Sequence, residues 1–250
     1  MRVEAGDWFA LPKGAKALRP LWAIGDIHGC TDQLTALYDH LRARVTGAAL
    51  LVHLGDYVDR GRDSAGALSM VAAGPGIAGL EQVDLRGNHD LYLINAAGLD
   101  GDIDPALVAR WLRNGGKTTL NDLGVSAAID DPEQRAARLR AALGPERIAL
   151  LRRTKLMHRE GEIVFVHAGL NPARGVAQQT PHDLMWIREV FFECSPDAWP
   201  FDDLVIHGHS PRAFGLDHHR IGVDSLCFGT GTLTMLEMRG EKGRFHRAKI

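Results

Sequence analysis

Leu21-Trp22-Ala23-Ile24-Gly25-Asp26-Ile27-His28-Gly29 is an apolar run that stops at a glycine and is followed at once by a carboxylate, an imidazole and a second glycine. A short continuous apolar run closed by a turn signal reads as a buried strand. The same construction returns along the chain. Residues 49–54 run into Gly55-Asp56-Tyr57-Val58-Asp59-Arg60-Gly61, and residues 80–85 into Arg86-Gly87-Asn88-His89-Asp90. Residues 163–166 run into His167-Ala168-Gly169, and residues 204–206 into His207-Gly208-His209-Ser210. Between these runs lie segments with helical spacing, such as 32–45, with Leu34, Leu37 and Leu41 on one face, and 64–73. Strands that alternate with helices predict βαβ units and an α/β fold.

Outward from these runs the rhythm changes twice. Residues 101–155 are helical in spacing and rich in Arg and Ala, with Trp111, the turn Asn114-Gly115-Gly116 and the stretch 133–143; they read as a helical insertion, and Trp111, like Trp186 further on, reads as packing rather than as a platform for a base. After Arg220, residues 221–224, 232–238 and 245–250 alternate like antiparallel strands that complete a second sheet. The first twenty residues are turn-rich and read as an ordered tail or a poorly fixed end. A chain of 250 residues lies within the range of one α/β domain, so residues 1–250 are read as a single domain with its core at 22–238.

Composition narrows the partners. The formal charge is −2 and no Lys/Arg run appears, which leaves no electrostatic footprint for nucleic acid or an anionic membrane. Cys30, Cys194 and Cys227 fit neither a disulfide framework nor a CxxC site, so reduced thiols and a cytoplasmic location are expected. No run reaches the length of a membrane span, and the N-terminal stretch lacks the apolar segment of a signal peptide.

Ligands of open α/β sheets bind at the carboxyl ends of the strands, where these motifs fall. They gather Asp, His and Asn side chains beside glycines that permit tight turns. Carboxylate and imidazole without thiolate suit Mn²⁺, Fe or Zn²⁺, and the set exceeds what one ion needs, so two divalent metal ions are expected, Mn²⁺ first. A pattern such as GDxHG arises by chance in roughly one chain in a thousand of this length, so five of them after five strands are no coincidence.

The ordered series GDIHG, GDYVDRG, RGNHD, HAG and GHS is similar to the signature of the phosphoprotein phosphatase branch of the metallophosphoesterases and looks like that of bacterial serine/threonine protein phosphatases. The resemblance covers residues 22–238. It implies a four-layer α/β/β/α sandwich with the metals above the strand ends. It implies Asp26 and His28 as ligands of a first ion, Asp56 as the bridging carboxylate, and Asn88, His167 and His209 as ligands of a second, while His207 matches no ligand position. His89 is implied as a general acid held by Asp59, and Arg60, Arg86 and Arg188 as phosphate-binding groups. Each role makes chemical sense: paired cations activate water, guanidinium groups chelate phosphoryl oxygens, and an imidazolium protonates a departing alkoxide.

The implied reaction is hydrolysis of phosphate monoesters, with a phosphoprotein or a small phosphoester as substrate. The alternative is a symmetrical dinucleoside tetraphosphatase, a related branch that shares GDxHG, GNHD and a stretch like Trp186-Ile187-Arg188. That branch usually lacks the Asp matching Asp59, because a nucleotide leaves readily and needs less protonation, so Asp59 favours the monoesterase. A non-catalytic scaffold would be expected to have lost a ligand or the acid, and here none is missing. Asp90 stands where eukaryotic protein phosphatases usually carry Glu, which bears on substrate class. Specificity is expected to lie in the helical insertion.

Overall fold

Each of the five apolar runs forms a strand that stops at its polar turn. A computed structural model describes residues 2–250. Along the chain come β1 (Arg2–Ala5), β2 (Phe9–Ala10), β3 (Ala17–Ile24), α1 (Thr31–Arg42), β4 (Ala49–His53), α2 (Ser64–Ala73), β5 (Leu80–Asp84) and α3 (Asn88–Ala96). Three further helices follow, α4 (Pro105–Arg113), α5 (Gly116–Asp122) and α6 (Pro132–Arg153). The rest comprises β6 (Met157–Glu160), β7 (Ile163–Val166), α7 (Pro181–Trp186), α8 (Glu189–Phe192), β8 (Leu204–His207), β9 (Gly215–Leu216), β10 (Arg220–Gly222), α9 (Cys227–Thr230), β11 (Thr232–Gly240) and β12 (Lys242–Lys249). The helices begin where the sequence supplies caps. Asp63, Asp104, Asp131 and Thr180 accept backbone N–H groups at the starts of α2, α4, α6 and α7, and Pro follows directly in the last three. Gly144, at φ 70°, and Pro145 kink α6.

The strands form two sheets. One has the order β1-β12-β11-β3-β4-β5, with β2 also on β12, and the other β6-β7-β8-β10-β9. Alternation along the strands sorts side chains between layers. Trp22 and Ile24 of β3 and Leu51 of β4 face the helices α1 to α6, whereas Leu21, Ala23, Leu50 and Val52 face the second sheet. There they meet Ile163, Phe165, Leu204 and Ile206. The other faces of β7 and β8, through Val164, Val166 and Val205, pack on Leu184, Phe191 and Trp199. Three buried interfaces separate four layers, giving the expected α/β/β/α sandwich. Residues 101–155 supply α4, α5 and α6 to the first helical layer, where α6 packs on α2 and α3. Among the described residues no helix is long and apolar enough to cross a membrane.

Two expectations are corrected. The alternating runs after residue 230 do not complete the second sheet. Thr232–Gly240 pairs antiparallel with β3 and Lys242–Lys249 with β11, so both extend the first sheet. Of the three runs only β10 joins the second sheet, and it lies parallel to β8. Of the two readings of the first twenty residues, the poorly fixed end gives way to the ordered one: β1 and β2 pair with β12, and β3 itself begins at Ala17. Period-two alternation reveals that a strand has one buried face but not which sheet receives it.

The added strands bury a charge. Glu237 of β11 is fully buried and accepts from Arg239 Nε at 2.6 Å, Arg244 Nε at 2.7 Å and His246 Nε2 at 2.8 Å. Desolvation would raise its carboxyl, but these hydrogen bonds outweigh burial and hold it down at about 2. A depressed carboxyl stabilises the fold above its unfolded value near 4.5 and loses that contribution as pH falls through about 2. Glu237→Gln is therefore expected to lower stability at pH 7 by up to about 3 kcal/mol, less to the extent that solvent at Arg239 screens the pair. The gap should close between about pH 4.5 and 2. Urea denaturation of both proteins across that range checks this, and a gap that did not vary with pH would refute it.

Candidate active site

Strands β3, β4 and β5 are mutually parallel, as are β7, β8 and β10, so all five motifs emerge at their carboxyl ends. They surround a cavity of about 350 Å³ whose floor carries Asp26, His28, Asp56, Asn88, His89 and His209. His167 lies beneath it, fully buried.

Backbone carbonyls set the imidazoles. His28 Nδ1 lies 2.6 Å from the Val58 carbonyl and His167 Nδ1 2.8 Å from that of Leu54, so each ring donates from Nδ1 and turns Nε2 toward the strand ends. Both Nε2 atoms converge on Asp56 Oδ2, at 3.6 Å from His28 and 3.5 Å from His167. The other oxygen, Oδ1, accepts the His89 backbone N–H at 2.8 Å. Asp56 thus stands between two imidazoles that reach it from different sheets. Asn88 Oδ1 lies 3.2 Å from His167 Nε2. Asp26 accepts the His209 N–H with both oxygens, at 3.0 and 3.1 Å.

These residues fit divalent cations. His209 Nε2 is buried without a hydrogen-bond partner, and two three-residue groups, His28-Asp56-His89 and Asp56-His167-His209, bring ligand atoms within 4.8 Å of one another. Burial lowers His28 to about 3 and His209 well below its usual value, which keeps both neutral, the form that ligates metal. Desolvation would raise Asp56, but the imidazoles of His167 and His89 outweigh it and hold the carboxyl well down. At His167 desolvation is in turn outweighed by the Asp56 carboxylate, and the ring is pushed up to about 10. A cation at this position must displace that proton. Burial, and next the charge of Asp224, raises Asp26.

Left-handed backbone is concentrated here. Among the described residues, non-glycine positive φ occurs at His28 (45°), Asp56 (52°), Asp59 (73°), Arg60 (66°), His209 (63°) and Leu226 (55°), and otherwise only at Lys13. Such conformations persist where surrounding structure over-determines them. The motif glycines allow that crowding, since a Cβ at Gly87 would collide with Asp56 Oδ1 and one at Gly208 with Asp26 Oδ1.

The structure gathers all but one of the residues to which the resemblance gives a metal-binding, acid or phosphate-binding role. His89 Nδ1 lies 2.6 Å from Asp59 Oδ2, and Arg60 Nη2 3.2 Å from His89 Nε2. Arg188 lies on the cavity wall between α7 and α8 and donates to Ser210 Oγ at 3.3 Å, while Glu189 pairs with Arg212 instead. Arg86 is the exception. Its guanidinium is held by Asp100, Thr154 Oγ1 and the Leu151 carbonyl, and it does not line the cavity. The residue follows β5 directly, and its side chain turns toward the end of α6 rather than over the strand ends. Asp90 does not face the cavity either. Its buried carboxylate accepts the N–H groups of Asp56, Tyr57 and Gly87, tying the second motif to the third. The departure from Glu therefore bears on loop geometry. His207 packs edge-on against Phe191.

Several site residues escape the sequence reading. Arg110 and Asn114 come from the insertion, and Tyr92, His182, Trp186 and Phe228 form the walls. The ring of Phe228 lies edge-on to His28 and under the guanidinium of Arg60 at 4.9 Å. Asp224 also lines the cavity; burial pushes it up to about 6. It follows a parallel strand, β10, so the rule that found the other motifs would have found it had that strand's direction been known.

Residues 19–230 match the family model of calcineurin-like phosphoesterases. The chain belongs to this family. The phosphoesterase is thus a metal-dependent hydrolase of phosphoesters. It is 32% identical over 236 residues to the symmetrical bis(5'-nucleosyl)-tetraphosphatase of Methylococcus capsulatus, covering 90% of this chain and 67% of the relative. To serine/threonine-protein phosphatase 1 of Salmonella typhimurium the phosphoesterase is 32% identical over 115 residues, or 46% of this chain and 43% of that one. A crystal structure of the cold-active protein-tyrosine phosphatase of a Shewanella species matches with a TM-score of 0.55 at 15% identity, over 88% of this chain and 78% of that one, a likeness of fold.

Proposed function

We propose that this phosphoesterase cleaves dinucleoside tetraphosphates symmetrically, releasing two nucleoside diphosphates, in the cytoplasm where its thiols stay reduced. The observation that carries the reading is similarity to a symmetrical tetraphosphatase across 90% of the chain, against 46% for the protein phosphatase relative. The cavity supports it. Arg60, Arg110 and Arg188 surround the centre, suited to a chain of phosphates, and the stacked pair His182–Trp186 and the ring of Phe228 offer apolar faces to nucleobases.

In this reading Asp26, His28 and Asp56 would hold one divalent ion and Asp56, Asn88, His167 and His209 a second, with Mn²⁺ the first choice and Fe or Zn²⁺ the alternatives. Bound ions supply activation of water and neutralisation of phosphate charge. The chain's own residues do the rest. Arg60 and Arg188 orient the phosphoryl oxygens, and His89, its Nδ1 fixed by Asp59, presents Nε2 to the departing oxygen.

One observation favours the second reading, a phosphomonoesterase acting on phosphoserine or phosphothreonine. The His89–Asp59 contact of 2.6 Å suits a poor leaving group, which a nucleotide is not. Metal-stripped protein resupplied with Mn²⁺ and offered diadenosine tetraphosphate beside a phosphothreonine peptide separates the two. ADP as the sole nucleotide product is the expected result, and phosphate from the peptide with an intact dinucleotide would transfer the proposal to the second reading.

A further inference from the structure

The helical insertion sends two buried polar atoms to the same carboxylate. Trp111, from α4, donates through Nε1 to Asp59, 3.0 Å from Oδ1 and 2.9 Å from Oδ2. Thr119, from α5, donates through Oγ1 to Asp59 Oδ1 at 2.6 Å and accepts the Asp59 N–H at 2.9 Å. Ser64 Oγ accepts the same N–H at 3.1 Å and lies 3.0 Å from Thr119 Oγ1. Trp111, Thr119 and Asp59 are all fully buried. The inventory of protons closes in one way: the single O–H of Thr119 goes to Asp59, so that of Ser64 goes to Thr119. Every donor around the carboxylate then points inward, and Oδ2, which shares the indole N–H, holds His89 Nδ1.

The turn between the helices is shaped around this contact. A Cβ at Gly116 would run into the Trp111 indole, and one at Gly115 would lie 2.9 Å from Arg60 Cγ. Asp59 and Arg60 are themselves in left-handed backbone, so an unsupported loop would relax away from this geometry.

We infer that Trp111 and Thr119 are positioning residues for His89: they hold the Asp59 carboxylate in the orientation that fixes Nδ1 and aims Nε2 at the leaving oxygen. This rests on the reading in which His89 protonates that oxygen. The insertion then belongs to the proton-delivery apparatus and does more than shape the rim. Trp111→Phe keeps an aromatic ring, smaller than the indole, and removes the donor, Thr119→Val keeps the shape and removes the hydroxyl, and Thr119→Ser restores it.

The test uses the full chain loaded with Mn²⁺, with phenyl phosphate and 2,4-dinitrophenyl phosphate as poor and good leaving groups and His89→Asn run alongside. Trp111→Phe and Thr119→Val are expected to lower kcat for phenyl phosphate by about 10- to 100-fold, the range for removing a group that orients a functional side chain. KM and metal content should stay the same, the activated ester should lose less than about threefold, and Thr119→Ser should recover most of the activity. Equal losses on both esters, while His89→Asn discriminates between them, would overturn the inference and leave the acid intact. If His89→Asn itself does not discriminate, the acid role falls and the inference falls with it.

Discussion

Asp56→Asn is expected to abolish turnover and to leave the protein with less than its full complement of metal. Asp56 Oδ2 is the point on which His28 Nε2 and His167 Nε2 converge, at 3.6 and 3.5 Å, and a carboxylate there can serve two cations at once. The amide of Asn is close in shape and can still accept the His89 N–H, so the fold should survive. What it lacks is charge and a second anionic oxygen, and its loss also removes the force that pushes His167 up to about 10. Metal analysis after gel filtration, read with phosphate release and a melting curve, checks all three. Full metal content in a folded variant would remove Asp56 from the bridging position, whatever its activity.

His89→Asn should give a different defect. Turnover is expected to fall by about 10²- to 10⁴-fold for substrates with poor leaving groups, and far less for an activated aryl phosphate that departs without a proton. Metal content should not change. The point needs testing because His89 also falls in a group of ligand type with His28 and Asp56. Two contacts speak against ligation: Nδ1 is committed to Asp59, and Nε2 has the guanidinium of Arg60 at 3.2 Å, a cation where a second cation would be repelled. Loss of one ion in the His89→Asn protein would reverse this assignment.

The strand ends were legible because the signal is local. An apolar run that stops at Gly-Asp or Gly-Asn carries both the strand and its catalytic edge within a few residues, and so Asp26, Asp56, Asn88 and His209 meet as their spacing implies. Features that depend on remote pairing were not legible. Nothing in residues 232–249 shows that they fold back on β3, and nothing near Asp224 shows that β10 runs parallel to β8. Arg86 sits beside Gly87 in the third motif, yet its direction is set by Asp100, Thr154 and the end of α6, some of them far along the chain. Trp111 reads as core by composition, and it is buried. Its one polar atom decides its role, and no periodicity reports where an indole N–H points.

The left-handed residues around the centre have a consequence for how such a protein can change over generations. Glycine adopts that backbone freely, whereas His28, Asp56, Asp59, Arg60 and His209 hold it at a cost of about 1–2 kcal/mol each. The substitutions that would most relax the chain are therefore those that would dismantle its chemistry. Thermal endurance alone would favour glycine in these loops, so at these positions the demands of turnover and the fold's own preference pull in opposite directions.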